Sequence, residues 1–573
     1  MRLNVSLALW FLLACAGWAF AAPALPTPET LRKLASEYYR RLDEARPVLS
    51  SLQGLHTWDD RLTDFSPPAI AARRQLVRET LAQVSAMRSE GWSKDDRIDW
   101  LLFRSQIEDL EFRDRVLDFP TTNPQVYVDE CANGIFSLLK TDYAPRAARA
   151  RSAAARLRGM PALLEQGKKN LTRPVRLYAR LAIDAARSID PLLRDSLATL
   201  VAEVEAKERE ELFRSRDEAL RAIHGFADWL EKRLPGMVAF VPMGEERYNE
   251  MLRRTYLLPL DARQVEMLGQ AELARYRALE SLLPDPRMAD PDPARAASIP
   301  KDQETFLRVY ESRQAEIASH LLDKRLVTLP SYLGPFSMRQ LPEAFKPTSP
   351  GGFMNPPGVF DTDPSGFYFI PTYDPKSSNF YMRAAIEDPR PILAHEGIPG
   401  HFLQISIANH LPGEIRRRHA DGVLIEGWAL YTEEMLLRTG LFAAGSAAEG
   451  QVLRLSRYRA ARIGVDVGLH TGRLTFEEAV RYFMEAGGLD REAAEGEAAL
   501  SASDPTQKIT YMVGKWQVLR LLGLYRERVG KEFRLGAFHD DLLKHGSLPL
   551  SIVEWILLDD ATTLEHALGK DGP

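Results

Sequence analysis

Apolar residues recur at helical spacing through most of the chain. Thr27 precedes a proline at a first helical position, and Leu31 and Leu34 then begin an apolar face. Similar amphipathic patterns with alternating charges run from about 67 to 116 and from 145 to 234. No fixed-period repeat accompanies them, which argues against a solenoid. These patterns predict a helical first half.

The pattern changes between Leu329 and Pro357, where seven prolines and several glycines interrupt any regular period. We expect a long functional loop or a connection between lobes there. Gly366 to Ile370 then has the apolar and aromatic composition of a strand that ends at a proline. The predicted fold is mainly α, with two helical lobes around a cleft and a small β element. The predicted lobes are residues 23–240 and 241–573.

The first 22 residues have the features of a secretory signal. Arg2 precedes an apolar run from Leu7 to Ala16, and small residues flank Phe20. Cleavage after Ala21 or Ala22 is the preferred interpretation, and the segment is too short for a stable membrane span. A lipoprotein site at Cys15 is the alternative, which is disfavoured because the apolar run continues beyond that residue. We therefore predict an exported protein, periplasmic or secreted.

Composition and charge argue against a disordered, a nucleic-acid-binding or a disulfide-stabilised protein. The 573 residues are 45% hydrophobic and 27% charged, as in soluble globular proteins. After loss of the signal, 73 basic residues face 79 acidic ones, so nucleic acid is not an expected partner. Only Cys131 would remain, which excludes an intramolecular disulfide. The sequence does not indicate an oligomeric state.

The segment H-E-G-I-P-G-H, from His395 to His401, carries the clearest chemistry. Two imidazoles and one further ligand would leave a catalytic zinc ion with an open position for water. Glu396, next to the first histidine, would accept the proton of that water. The alternative is that both histidines only pack near a bend. Glu396 argues against it, because a carboxylate in an apolar neighbourhood is costly unless it is used or paired.

The spacing of the two histidines requires a break in the helix. Residues six apart would point about 120° apart on a straight helix, whereas the four-residue spacing of H-E-x-x-H leaves about 40°. Pro399 lacks an N–H and would collide with the carbonyl group of residue 395, so the helix must bend there. We predict one helical piece from Pro391 to Glu396, a widened turn from Gly397 to Gly400, and helix again from His401.

A third ligand is expected on the next helix, in E-G-W-A-L-Y-T-E-E. Glu426 follows His401 by 25 residues, which suits a helix, a turn and a returning helix. Glu433 and Glu434 lie near the same helical face, seven and eight positions later, and are competing ligands or outer-shell partners.

Two further segments contain candidate site residues. Arg462, Asp466 and His470 recur every four positions on an otherwise apolar helix, which indicates a buried network that is either structural or reaches the metal. Tyr511 is the candidate donor to a tetrahedral oxyanion, or else an anchor of its own helix. Lys515 and Arg520 are candidates for binding a substrate carboxylate, although lone basic residues on helices are more often solvated.

These two motifs, H-E-G-I-P-G-H-F-L-Q and E-G-W-A-L-Y-T-E-E, resemble those of the DUF885 family, which is grouped with the gluzincin metallopeptidases and is similar in layout to the Taq carboxypeptidase family. The likeness covers most of the chain and is concentrated from about 351 to 520. The resemblance implies a zinc site of His395, His401 and Glu426 with Glu396 as general base. The six-residue histidine spacing departs from the gluzincin motif, so roles carry over better than fine geometry.

The function expected from the sequence is zinc-dependent hydrolysis of oligopeptides. One Zn²⁺ would be held by His395, His401 and Glu426, with Glu396, Tyr511 and His470 as catalytic candidates and a peptide as substrate. Two alternatives stay open: a non-catalytic zinc-binding or peptide-binding protein, and a metal-dependent hydrolase of another amide or ester. An edge strand near the metal would pair with an extended substrate, and Gly366 to Ile370 is the candidate. The alternative is that this segment is a short core strand.

Overall fold

The computed structural model describes residues 27–201, 204–283, 300–342, 345, 349, 351–377 and 379–569. The predicted signal segment and Cys15 lie outside these residues. The fold is mainly α, as predicted, with one small sheet in the described part. Its first helices are α1 Pro28–Ala45, α2 Pro47–Leu52, α3 Pro67–Ser85, α4 Lys94–Phe112, α5 Phe119–Thr122, α6 Gln125–Leu139, α7 Arg146–Asn170, α8 Arg176–Arg187, α9 Ala206–Arg233, α10 Glu245–Arg254, α11 Ala262–Glu280 and α12 Gln303–Asp323.

The later helices carry the two motifs of the sequence, from His395 and from Glu426, and surround the site. They are α13 Phe380–Glu387, α14 Arg390–Glu396, α15 His401–Asn409, α16 Glu414–Arg418, α17 Gly422–Arg438, α18 Ala447–Thr471, α19 Phe476–Tyr482, α20 Arg491–Ser503, α21 Thr510–Val529, α22 Leu535–Leu543, α23 Leu550–Leu558 and α24 Thr562–Leu568. Helix α1 begins as predicted, because the Thr27 side chain accepts the N–H of Thr30.

The hydrophobic core has two main parts. Leu31 and Phe103 from the first helices belong to the same buried cluster as Trp428 of α17. A second cluster is built from α6 to α9, between Tyr127 and Met237, and includes the free Cys131. The first helices thus pack with the second half of the chain. The lobe boundary near residue 240 stays a prediction.

The sheet corrects one expectation. Strand β1, Phe336–Gln340, pairs in parallel with β3, Gly366–Ile370, and β2, Phe353–Asn355, pairs antiparallel with β3. Strand β3 is therefore central, with all five residues buried, and the prediction that it is an edge strand is wrong. Its continuous apolar sequence is typical of a strand covered on both faces. The proline-rich segment, expected to be irregular, supplies both neighbouring strands.

No helix among the described residues has both the length and the apolar character that a membrane crossing requires.

Candidate metal centre

The two histidines lie on separate helices joined by a tight bend. Helix α14 ends at Glu396 and α15 begins at His401, as the proline predicted. The Ile398–Pro399 peptide bond is cis. A Cβ atom added to Gly400 would lie 1.9 Å from the carbonyl oxygen of His395, so only glycine permits this close return of the chain. The bend turns both imidazoles towards one point.

Glu426 completes a cluster of three ligand atoms. Its Oε2 atom lies 3.3 Å from Nε2 of His395 and 3.3 Å from Nε2 of His401. The three atoms lie within 4.8 Å of one another. Ligands about 2.0–2.1 Å from a tetrahedral zinc ion lie about 3.4 Å apart, so the carboxylate-to-imidazole separations fit that ion. Oε2 is also buried without a hydrogen-bond partner among the described residues.

The two other glutamates of α17 have different positions. Glu433 Oε1 lies 2.9 Å from Nδ1 of His395, the ring nitrogen that faces away from the cluster. Glu434 instead pairs with Lys515 Nζ at 2.7 Å and accepts a hydrogen bond from the hydroxyl of Tyr276. Glu433 thus orients the imidazole, as outer-shell carboxylates do in metal sites, and Glu434 belongs to a separate ion pair.

The electrostatics of the cluster favour a positive charge, carried by a protonated imidazole or by a cation that displaces its proton. Burial opposes the charged form of His395, but its contacts with Glu426 and Glu433 outweigh burial and raise its pKa to about 9. Burial likewise opposes ionisation of Glu426, yet the adjacent imidazoles hold its pKa well below the ordinary value. The carboxylate is therefore ionised at neutral pH. An anionic carboxylate that faces two imidazole nitrogens is a suitable donor set for zinc.

Glu396 and Tyr511 face the same cavity as the cluster, a space of about 560 Å³. Burial raises the pKa of Glu396, although the nearby histidines partly offset this effect. The Tyr511 ring stacks on the His395 ring, with centroids 5.9 Å apart, and its hydroxyl accepts a hydrogen bond from Gln507 at 3.3 Å. The structure thus brings five of the six predicted site residues together: His395, Glu396, His401, Glu426 and Tyr511.

His470 is the predicted site residue that the structure places elsewhere. Its Nε2 lies 2.9 Å from the carbonyl oxygen of Ser501, and its ring stacks on Tyr248 and meets the edge of Phe240. It does not line the cavity. These contacts give the side chain a packing role.

The predicted row of polar residues on α18 is buried, as expected, and its members have separate partners. Arg462 reaches the cavity and binds Glu497. Asp466 accepts the backbone N–H groups of Thr506 and Lys508 at 3.1 and 3.2 Å. Asp466 therefore fixes the turn that leads into α21, the helix that carries the cavity tyrosine.

Lys515 and Arg520, the candidates for binding a substrate carboxylate, both have acidic partners in the fold. Lys515 is buried against Glu434, and Arg520 binds Glu554 through both terminal nitrogens. Neither residue lines the cavity.

Four charged residues of the cavity were not predicted: Arg459, Glu497, Asp504 and Lys508. Arg459 lies one helical turn before Arg462, so a second basic residue on the polar face of α18 was a usable signal. Glu497 is one of three glutamates in an alanine-rich helix, where each resembles a solvated residue. Its role becomes visible only when α20 packs against α18.

Comparisons with known proteins give a family and a fold. The sequence profile of the family described as "Bacterial protein of unknown function (DUF885)" matches residues 47–557. No curated protein matches the chain. A solved structure from Shewanella oneidensis, described as a "putative lipoprotein of unknown function", is 21% identical with a TM-score of 0.71, and the match covers 92% of this chain and 99% of that one.

A second solved structure is similar to the same extent. It is described as a "putative lipoprotein" from Colwellia psychrerythraea and is 17% identical, with a TM-score of 0.76 over 93% of this chain and 99% of that one. At these identities the likeness establishes a shared fold. It assigns no activity.

Proposed function

Because this chain belongs to the DUF885 family of bacterial proteins of unknown function, its chemistry has to be inferred from its site, and we propose that it is a zinc-dependent hydrolase of oligopeptides. One zinc ion would be held by His395, His401 and Glu426. The donor set is that of the gluzincin peptidases, with a wider histidine spacing. The observation that carries the proposal is the 3.3 Å separation of Glu426 Oε2 from both imidazoles, with Glu396 in the same cavity.

Bound zinc would supply a Lewis acid for the substrate carbonyl group and lower the pKa of a water molecule. Glu396 takes the proton of that water and delivers it to the leaving amine. Its raised pKa favours this exchange, because a base whose pKa lies closer to neutrality both accepts and returns a proton readily. Glu433 holds Nδ1 of His395, which leaves Nε2 as the ligand atom.

Tyr511 is the proposed donor to the oxyanion. Its ring lies against His395 in the cavity wall, and burial raises its pKa, so the hydroxyl keeps its proton at neutral pH. A neutral phenol can donate a hydrogen bond to the oxygen that gains charge.

Strand β2, and not β3, is the edge strand that we propose pairs with an extended substrate. It is an edge strand of the described sheet, and Phe353 and Met354 line the cavity. An extended peptide would add to this edge by backbone hydrogen bonds, beside the metal centre.

Export is part of the proposal. The first 22 residues have the features of a signal segment, and both similar solved structures carry the description "putative lipoprotein". Mass spectrometry of the mature N-terminus distinguishes cleavage of a secretory signal from lipoprotein anchoring at Cys15. A start at Pro23 or Ala22 would indicate signal cleavage, and a lipid-modified Cys15 would indicate anchoring.

The direct test is digestion of a mixed peptide library, read by mass spectrometry, with zinc or with a chelator. The proposal predicts cleavage that the chelator abolishes and zinc restores. Glu396→Gln should keep the zinc and lose the cleavage, whereas Glu477→Gln, at an exposed position on α19, should keep both. Zinc binding without cleavage of any peptide would favour the binding-protein alternative, and turnover of esters or other amides alone would favour the second alternative.

A further inference from the structure

Arg459 is a buried cation with few partners. Its side chain is in the cavity wall and the residue is 5% exposed. One nitrogen, Nη2, lies 3.3 Å from Glu433, while Nε and Nη1 have no hydrogen-bond partner among the described residues. A guanidinium group has five N–H donors, and leaving the donors of a buried charge unbonded is costly. A ligand in the cavity can supply the acceptors.

Two other cations stand on the same wall. Arg462 pairs with Glu497 at 3.0 Å, and Lys508 Nζ lies 3.9 Å from the same carboxylate. Lys508 is also buried, 8% exposed. We call Arg459, Arg462 and Lys508 the basic wall. Its two basic residues near Glu497 share one acid.

The basic wall has few acidic partners among the described residues. Glu433 and Glu497 are the acids in contact with its three cations, and Glu433 also holds Nδ1 of His395. Asp504 lines the cavity too and pairs with Arg113, which also binds Asp109. Arg459 therefore shares its acidic partner with a histidine, which favours pairing of its guanidinium group with an anionic ligand.

The wall is close to the reacting centre. Glu433 contacts both Arg459 and Nδ1 of His395, so one carboxylate joins the guanidinium to a metal ligand. The Tyr511 ring is near both residues, 5.8 Å from the Arg459 guanidinium carbon and 5.9 Å from the His395 ring. A group bound by Arg459 would therefore lie close to the bond that is cleaved.

We propose that Arg459 binds a carboxylate of the substrate and thereby selects peptides that carry a negative charge next to the scissile bond. The proposal rests on the hydrolase function given above. The carboxylate belongs either to the end of the peptide chain or to an acidic side chain, and Arg recognises both by charge-assisted hydrogen bonds. Arg459 is thus assigned as a residue that determines specificity.

The test measures binding, so it does not depend on turnover. Zinc-loaded Glu396→Gln protein is titrated by calorimetry with four peptides: acetyl-trialanine, its carboxamide, and two carboxamides with a central aspartate or asparagine. We expect a carboxylate peptide to bind about 10- to 100-fold more tightly than its neutral counterpart. A preference for free acid over carboxamide assigns the chain terminus, and a preference for aspartate over asparagine assigns the side chain.

Variants in the same background identify the residue. Arg459→Gln should remove the preference, and Arg459→Lys should keep part of it, because the charge remains while the fork of donors is lost. Arg454→Gln is the control, since Arg454 is on the same helix, binds Glu387 and does not line the cavity. Zinc content and melting temperature are measured for each variant. A change in either would show that a loss of binding reflects the fold or the metal.

The outcomes separate this inference from the proposed function. Equal binding of all four peptides, no binding of any, or a preference that survives Arg459→Gln in a folded, zinc-loaded protein would overturn the inference. Cleavage of neutral and carboxylate peptides at the same rate would overturn it as well and leave the hydrolase function intact. Selective binding without any hydrolysis by the wild-type protein would support the inference and contradict the hydrolase.

Discussion

Gly427 and Gly514 bring helices α17 and α21 into backbone contact. A Cβ atom added to Gly427 would lie 2.3 Å from the carbonyl carbon of Gly514, and one added to Gly514 would lie 1.9 Å from the carbonyl oxygen of Val423. Gly427 directly follows the proposed ligand Glu426, and Gly514 is one turn after Tyr511. The crossing of these two helices therefore places the proposed metal ligand and the proposed oxyanion donor on one cavity.

Gly514→Ala should destabilise the protein and disturb the site. The added methyl group has no room, and overpacking of this kind costs about 1–3 kcal/mol. Urea unfolding should show that loss, and zinc titration should show weaker binding. Gly523→Ala is the control on the same helix, because a Cβ there meets nothing within 4 Å. It should raise stability by about 0.5–1 kcal/mol through helix propensity. Equal effects of the two variants would contradict the role given to the crossing.

The bend of the metal motif could be predicted because it follows from local sterics. His395 and His401 are too far apart in sequence for one helical face, and Pro399 makes a continuous helix impossible. These constraints act within seven residues and need no knowledge of the remaining fold. Both predicted ends of the first helical piece and the predicted start of the second agree with the structure to within one residue.

Features that depend on distant segments could not be predicted. The central position of β3 requires β1 and β2, and both lie in a segment whose prolines hide short strands. The position of His470 depends on how α18 packs against α20, which decides that its ring meets Ser501 rather than the cavity. Periodicity identified the buried face of α18 but not what that face contacts.

Glu433→Gln should weaken zinc binding by about 10- to 100-fold, as loss of an outer-shell partner does. The amide cannot supply the charge that holds Nδ1 of His395. Glu434→Gln, one residue further, should leave zinc affinity largely unchanged and destabilise the fold by about 3–5 kcal/mol, because Lys515 would be buried without its partner. Competition with a metal-sensitive dye measures the first effect and urea unfolding the second. Reversal of the two effects would show that the glutamates have been assigned to the wrong roles.

The Glu434 pair should make stability depend on acid pH. Burial opposes ionisation of Glu434, but Lys515 and Tyr276 lower its pKa from 4.5 to about 2. A carboxyl group whose pKa is lower in the folded state stabilises the protein above the unfolded value, and the contribution is lost as pH falls from about 4.5 to about 2. The unfolding free energy should therefore drop more between about pH 6 and about pH 3 in wild type than in Glu434→Gln. Parallel pH profiles would contradict the assignment.

Tyr511→Phe should lower kcat for peptide hydrolysis by about 100-fold and leave zinc bound, since an oxyanion donor contributes about 3 kcal/mol. His470→Asn should affect stability and not catalysis. It removes a buried contact with Ser501 and two ring contacts, so it should lower stability by about 1–3 kcal/mol without changing kcat of the folded protein. Steady-state kinetics and thermal unfolding of both variants provide the comparison. A large loss of kcat in folded His470→Asn would return that residue to the catalytic set.

The central claim is that His395, His401 and Glu426 bind one zinc ion, and elemental analysis after zinc loading and desalting tests it most directly. The account predicts one zinc per chain in wild type and in His470→Asn, and none retained in His401→Ala or Glu426→Ala. A wild-type protein that retains no zinc, or ligand variants that retain as much as wild type, would contradict it.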